Sequence, residues 1–275
     1  PGRWVDPASG ATLEGPAVLA RAARGPAALL GERHDSVADH RWQLHTLAGL
    51  HAHRADIVLG LEMLPRRVQP ALDRWTAGDI DEAALLRETS WDELWGFDPE
   101  LYMPLLRFAR MNRLPVVALN VERGLVRRTG REGWAAVPAE AREGVGDPAP
   151  ATPGYRDRLA AVMADHGGGR PRDGALDRFV DAQRVWDRAM AEAIATAHRR
   201  AGALVVAILG AGHVEHGHGV PHQLAALGLP GGASLLPWAE DRPCPELAPG
   251  LADAVFGVGA SPEPPAPPRL GAAFA

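Results

Sequence analysis

Histidine side chains crowd a short stretch towards the C-terminal end of the sequence. The segment GAGHVEHGHGVPH, residues 210–222, contains His213, His216, His218 and His222. Histidine is the commonest metal ligand and a frequent general base, so the cluster indicates metal binding or acid–base chemistry. His213 directly follows an apolar run, and we predict that it is the functional member, with His218 next. His216 fits an exposed loop, and His222 fits a helix start.

A second stretch, LLGERHD, carries the same Gly-x-x-His spacing. Gly31 and His34 in GERH match Gly210 and His213 in GAGH. Glycine lets the chain turn sharply off a strand and brings backbone N–H groups close to a ligand. Each histidine is then expected on the first turn after its strand, pointing across a crevice.

Two glutamates accompany these histidines. Glu32 lies inside the GERH motif, and Glu62 lies at the end of the apolar run ADIVLGLEM. In an open parallel sheet, ligands bind beyond the carboxyl ends of the strands. We therefore expect Glu32, His34, Glu62 and His213 to form one site at that edge.

The elements that must position this site follow from the apolar runs. These runs lack polar alternation, as is typical of parallel strands covered by helices on both faces. The predicted fold is α/β, with a mostly parallel central sheet flanked by helices. The predicted strands are residues 26–31, 55–63, 114–120, 202–210 and 233–238, with a sixth at 253–259 and an N-terminal hairpin over 3–13.

Helical patterns separate these runs. Ser36 and Asp39 resemble a capping box at the start of a helix over 36–54. His40 lies on the apolar face of this helix but close to the crevice, so a functional and a packing role suit it equally. Further helices are predicted over 68–77, 81–89 and 99–112, and a long one ends at Gly202, a typical C-cap residue.

Composition divides the chain into a core and an insertion. Residues 133–174 are rich in Gly and Pro with a short helical pattern at 155–165, which predicts a small inserted helical lobe. Residues 1–132 and 175–260 are then the α/β core domain. Residues 261–275 form a Pro-rich tail.

Charge and residue usage exclude several classes of function. The net charge of −5 and the pI near 6.1 leave no basic patch for nucleic acid. Every basic residue is arginine, which excludes lysine Schiff-base chemistry. The single cysteine, Cys244, excludes an intrachain disulfide and a cysteine metal cage. No apolar run approaches the ~20 residues of a membrane helix, so membrane attachment is expected only through an anchor outside this sequence.

Several motifs in order resemble the ChaN-like haem-binding proteins, which share a superfamily with Tiki and TraB proteins and erythromycin esterases. The similar segments are LLGERHDSVADHRWQL, LGLEM, VVALN, AQRVWDRAMA and GAGHVEHGHGVP, between Trp4 and Trp238. The resemblance implies a parallel-sheet core with a helical lobe, and a bacterial envelope protein of iron or haem uptake. It also implies haem bound near the lobe, as a cofacial pair where two subunits of a homodimer meet.

Haem needs an axial ligand, apolar faces and cations for its propionates. Tyr155 in the lobe, where the family pattern tends to place a tyrosine, is the candidate axial ligand, with His166 as the alternative and Arg156 nearby. For any one of these residues, an ordinary lobe helix with a packing tyrosine is the slightly preferred explanation. Tyr102 is expected in the core.

The wider superfamily implies a second class of function, a hydrolase. In Tiki-type relatives the two Gly-x-x-His motifs and a glutamate bind a divalent metal, which transfers here to His34, His213 and Glu32 or Glu62. Zinc, manganese or iron would suit such ligands. In esterase relatives a similar Glu/His set activates water without metal, and His40 could assist. Haem binding and hydrolysis both remain open from the sequence, and the two sites could coexist.

Overall fold

The computed structural model describes residues 1–166 and 174–260. The two N-terminal strands of the central sheet are short, and the strands in its middle are longer. The strands are β1 (Trp4–Val5), β2 (Thr12–Leu13), β3 (Ala27–Glu32), β4 (Ile57–Pro65), β5 (Val116–Asn120), β6 (Leu204–Gly210), β7 (Ala233–Ala239) and β8 (Ala254–Val258).

These strands form one sheet in the order β2-β1-β8-β7-β3-β6-β4-β5. The strands from β8 to β5 are parallel to their neighbours, while β1 pairs antiparallel with both β2 and β8. The predicted α/β fold with a mostly parallel sheet is therefore confirmed. The position of β6 between β3 and β4 brings the ends of three chemically important strands side by side.

Both faces of the sheet are covered, which explains the unbroken apolar runs. Along β3, Ala28 and Leu30 belong to one hydrophobic cluster, whereas Ala27 and Leu29 belong to another on the opposite face. All four side chains are fully buried. Because side chains on both faces of the strand are buried, its sequence does not alternate between polar and apolar residues.

Helices supply the two covering layers. Helices α1, α2, α3 and α6 contribute to the first cluster, and α9 and α10 to the second. The helices are α1 (Gly15–Ala23), α2 (Val37–His53), α3 (Gln69–Ala77), α4 (Glu82–Glu88), α5 (Trp91–Leu94), α6 (Met103–Met111), α7 (Arg123–Glu132), α8 (Pro153–His166), α9 (Ala175–Ala201) and α10 (Val220–Ala226). Among the described residues, no helix combines the length and apolar character needed to cross a membrane.

The start of α2 is fixed by the predicted capping residues. The Ser36 hydroxyl accepts a hydrogen bond from the backbone N–H of Asp39 at 3.2 Å. The Asp39 carboxylate in turn accepts from the backbone N–H of Arg33 at 2.9 Å. The cap therefore ties the loop after β3 to the first turn of α2, which positions His34 and His40 relative to each other.

The segment predicted as an inserted lobe packs against the long helix α9. Residues 134–136 and 139–141 form 3₁₀ turns, and α8 rests on α9 through Tyr155, Leu159 and Val180. The long helix ends as expected at Gly202, whose φ of 63° suits a glycine C-cap. Residues 167–173 of the predicted lobe and the predicted tail at 261–275 lie outside the described residues.

Candidate functional site

The carboxyl ends of β3, β6 and β4 meet at one edge of the sheet. Glu32 closes β3 directly opposite Gly210, the last residue of β6. The backbone N–H of Gly210 donates to Glu62 Oε2 at 2.5 Å. A Cβ atom on Gly210 would lie 2.9 Å from Cε1 of His34, so only glycine leaves room for that ring. The strand order thus places Glu32, His34 and Glu62 around one glycine.

Glu32 is a buried carboxylate that receives two hydrogen bonds on one oxygen. His34 Nδ1 lies 2.9 Å from Oε1, and the Tyr102 hydroxyl donates to the same oxygen at 2.7 Å. Burial alone would raise the pKa of Glu32. The hydrogen bond from His34, the charges of His40 and His34, and the hydrogen bond from Tyr102 outweigh burial and lower this pKa. Tyr102 is buried as predicted, but its hydroxyl is also part of the site.

His40 faces oxygen acceptors at both of its ring nitrogens. Nδ1 lies 3.0 Å from Gln43 Oε1 and 3.3 Å from Glu32 Oε2, and Nε2 lies 3.1 Å from the carbonyl oxygen of His34. The Gln43 amide is oriented by its own N–H bond to the carbonyl of Leu30. His40 is thus a buried partner of Glu32, set back from the crevice.

His34 is the most exposed of the four predicted site residues, with 32% of its side chain accessible. Its ring packs edge-on against Trp95, with centroids 4.7 Å apart. Burial alone would lower the pKa of His34. The hydrogen bond to Glu32 and the charges of Glu62 and Glu32 raise it instead. His34 is therefore the member of the group whose ring solvent reaches most easily.

His213 lies between two carboxylates. Its Nδ1 is 2.7 Å from Asp187 Oδ1, and its Nε2 is 3.5 Å from Glu62 Oε1. Burial alone would lower the pKa of His213, but the charges of Glu62 and Asp187 and the hydrogen bond to Asp187 raise it to about 9. The structure thus brings Glu32, His34, Glu62 and His213 into one site, and their roles remain predictions.

Asp187 was missed by the sequence reasoning. It lies on α9 and is fully buried. The available signal was an aspartate on a helix face otherwise occupied by buried residues such as Val180, Met190 and Ile194. A buried carboxylate requires a partner, because an unpaired buried charge is costly.

Tyr155, the predicted axial ligand of haem iron, is buried against Asp187, and its ligand role stays a prediction. Tyr155 is 2% exposed, and its hydroxyl donates to Asp187 Oδ2 at 2.7 Å. Burial, the charge of Asp187 and this hydrogen bond all raise the pKa of Tyr155, which disfavours the phenolate that iron would bind. Arg156 is exposed and pairs with Asp177 at 2.6 Å. The side chain of His166 lies outside the described residues.

The other histidines of the C-terminal cluster lie away from the four-residue site. His216 is exposed and has a φ of 60°. His218 is half-buried; its ring stacks on Tyr155, and its Nδ1 lies 3.0 Å from the Thr152 hydroxyl. His222 bonds to the carbonyl of Pro150. The cluster therefore separates into one histidine at the sheet edge, two that contact the 150–155 segment, and the exposed His216, whose ring centroid lies 5.8 Å from that of His218.

The divalent-metal site expected at His34, His213, Glu32 and Glu62 finds no support. Among the residues that the structure describes, no group of three or more His, Cys, Asp or Glu side chains is arranged to hold a metal ion. The physical reason is that the donors bond to one another. Each imidazole Nδ1 is held by a carboxylate, and Glu62 faces a backbone N–H and His213.

The raised pKa of His213 predicts that stability falls with rising pH. Because the folded pKa of about 9 exceeds the unfolded value of ~6.5, its contribution is complete below pH ~6.5 and disappears as pH rises through about 9. We expect the free energy of unfolding to drop by roughly 3 kcal/mol over this window. Urea unfolding at several pH values measures this drop, which His213→Gln should largely abolish. A stability that is flat or rising over this window would contradict the prediction.

Comparisons with known proteins place this geometry in a family. A sequence model described as "Haem-binding uptake, Tiki superfamily, ChaN" matches residues 18–224. The solved structure titled "Cofacial heme binding to ChaN of Campylobacter jejuni" superposes with a TM-score of 0.72 at 17% identity, over 92% of this chain and 95% of that one. The type III effector HopBA1 superposes with a TM-score of 0.51 at 14% identity, over 90% and 94%. At these identities, the two structures show a shared fold.

A search of curated protein sequences gives no match. The family match nevertheless covers most of the chain, including both Gly-x-x-His motifs, Glu62 and the Asp187 helix. The resemblance inferred from the sequence motifs is thereby confirmed. The chain belongs to the ChaN family of haem-binding uptake proteins in the Tiki superfamily.

Proposed function

We propose that this protein binds haem and serves in the acquisition or handling of haem iron. The observation that carries the proposal is the family match over residues 18–224. The similar fold of Campylobacter jejuni ChaN, whose structure is titled for cofacial haem binding, supports it over nearly the full length of both chains.

In this proposal the axial ligand comes from His216 and His218, which lie beside the lobe helix α8, rather than from Tyr155. Burial and the charge of Arg158 lower the pKa of His216, and burial with the charges of His216 and Arg158 lowers that of His218. A lowered pKa keeps an imidazole neutral, which is the form that ligates iron. The centroids of the two rings lie 5.8 Å apart. Arg158 and Arg242 each form an ion pair with Glu215, the residue before His216. These guanidinium groups provide positive charge for propionates.

A hemin titration tests both statements. The wild-type protein should give a saturable shift of the Soret band, because one ligand set is filled. His216→Ala/His218→Ala should raise the dissociation constant roughly tenfold or more. His222→Ala is the matched control from the same cluster and should bind like the wild type. Free-hemin spectra without saturation would refute haem binding, and loss of binding in Tyr155→Phe alone would return the ligand role to the tyrosine.

Haem is retained between two copies of the chain in this proposal. A porphyrin bound on one subunit leaves an apolar face in water, and burying that face drives association. The same titration followed by sedimentation velocity should show the dimer fraction growing with bound hemin. A monomer at full hemin occupancy would refute the homodimer.

A second candidate function is hydrolysis at the sheet edge, and one observation favours it. Two carboxylate–imidazole pairs, Glu32–His34 and Asp187–His213, border the same carboxylate, Glu62. Pairs of titratable groups whose surroundings shift their pKa values are characteristic of acid–base sites. Glu62 can accept a proton from attacking water, and the imidazolium groups can stabilise the developing oxyanion and return a proton to the leaving group.

A further inference from the structure

Asp187 connects the lobe helix α8 to the site at the sheet edge. Its carboxylate is fully buried, and each oxygen has one hydrogen-bond partner. Oδ1 lies 2.7 Å from His213 Nδ1, and Oδ2 accepts from the Tyr155 hydroxyl at 2.7 Å. Gly219 leaves the room for this arrangement, because a Cβ there would lie 2.9 Å from Asp187 Oδ1.

We infer that Asp187 and Tyr155 are positioning residues that together hold the proton on Nδ1 of His213. This inference rests on the second candidate function, in which His213 acts beside Glu62. Because a carboxylate only accepts hydrogen bonds, Asp187 requires the proton on Nδ1 of His213. Nε2 is thereby directed towards Glu62, 3.5 Å away, where the chemistry takes place.

Tyr155 matters because it determines which oxygen of Asp187 faces His213. Its buried hydroxyl needs an acceptor, and Asp187 Oδ2 is the acceptor it has among the described residues. One Asp187 oxygen is therefore always engaged by the lobe helix, and the other is left for His213. The hydrogen bond that fixes α8 to α9 thus also fixes the orientation of the carboxylate that holds the site histidine.

The isosteric substitution Asp187→Asn tests this arrangement. The Tyr155 hydroxyl will hold the amide oxygen, so the amide NH₂ group will face His213 Nδ1. That nitrogen must then accept rather than donate, and the Nδ1–H is lost. In Asp187→Asn/Tyr155→Phe the hydroxyl is gone, so the amide can rotate and offer its oxygen to His213. The Nδ1–H should then return.

The experiment is ¹H–¹⁵N NMR of the histidine side chains in the ¹⁵N-labelled full chain. The hydrogen-bonded Nδ1–H of His213 is assigned by its absence from His213→Gln. It should be present in the wild type and in Tyr155→Phe, lost in Asp187→Asn and restored in the double variant. Its absence from the wild type would overturn the inference without any change at Asp187. Identical spectra for Asp187→Asn and the double variant would show that Tyr155 only packs.

Hydrolysis of p-nitrophenyl acetate provides a separate readout. Asp187→Asn should lower kcat on the order of 10³–10⁴-fold through the wrong tautomer, and the double variant should recover part of that loss. A wild-type protein without esterase activity would refute the second candidate function. The NMR comparison would still decide whether Tyr155 and Asp187 set the protonation of His213.

Discussion

Glu32→Gln is expected to lower the free energy of unfolding by about 3–5 kcal/mol. Glu32 is 3% exposed, its Oε1 is hydrogen-bonded by His34 and Tyr102, and its Oε2 lies 3.3 Å from His40 Nδ1. Replacing one oxygen by an NH₂ group sets donor against donor, and it removes the negative charge that helps to raise the pKa of His34. Removing one partner from a buried charged pair costs far more than the pair contributes in net terms. Urea unfolding at neutral pH measures the loss.

Two further variants make this stability test specific. Glu82→Gln removes a carboxylate at the surface, where Glu82 pairs with Arg107 at 2.6 Å, and it should cost less than about 1 kcal/mol. His40→Leu in the Glu32→Gln background removes the ring nitrogen that faces the new amide and should recover part of the stability, as a double-mutant cycle would show. A loss below about 1 kcal/mol for Glu32→Gln would mean that the cluster is not charged as described.

The second large effect concerns catalysis at the sheet edge. If the protein hydrolyses p-nitrophenyl acetate, His34→Gln and His213→Gln should each lower kcat by ~10²–10⁴-fold, the usual contribution of a positioned acid or base. His34 has the exposed ring that can touch a substrate, and His213 places its Nε2 beside Glu62. Glutamine keeps a hydrogen-bonding side chain but cannot transfer the proton.

The controls separate a specific site from surface histidine catalysis and from a bound metal. His222→Gln alters a histidine that only bonds to the carbonyl of Pro150, and its rate should equal that of the wild type. A chelator should leave the wild-type rate unchanged, since the described residues offer no metal-holding group. A rate that falls equally in all three histidine variants would attribute the activity to nonspecific imidazole chemistry.

Much of the local structure could be predicted from the sequence. Each apolar run became a strand within a few residues of its predicted bounds, because strands buried on both faces require continuous apolar side chains. Ser36 and Gly202 marked helix ends because capping depends on side chains near the end itself. Short helices were harder: α1 and α7 were not predicted, and they are only 9 and 10 residues long.

The partners of the site residues could not be predicted in the same way. Tyr155 and Asp187 are 32 residues apart, and His213 lies a further 26 along the chain. The local sequence around a tyrosine does not show whether its side chain packs in the core, binds haem iron or orients a carboxylate. The packing of α8 on α9 buries the hydroxyl of Tyr155 against Asp187, and this contact appears only in the folded chain.

The sequence by itself determined which residues reach the carboxyl edge of the sheet, because Glu32, His34, Glu62 and His213 each lie in or directly after a buried strand. Tertiary structure decided how they meet. The insertion of β6 between β3 and β4 set Gly210 between Glu32 and Glu62, and helix packing added Tyr102, His40 and Asp187. Strand order and helix packing depend on contacts between distant parts of the chain. The local sequence pattern carries the identity of each donor and acceptor, whereas their pairing, and with it the charge of each group, arises only when the chain is folded.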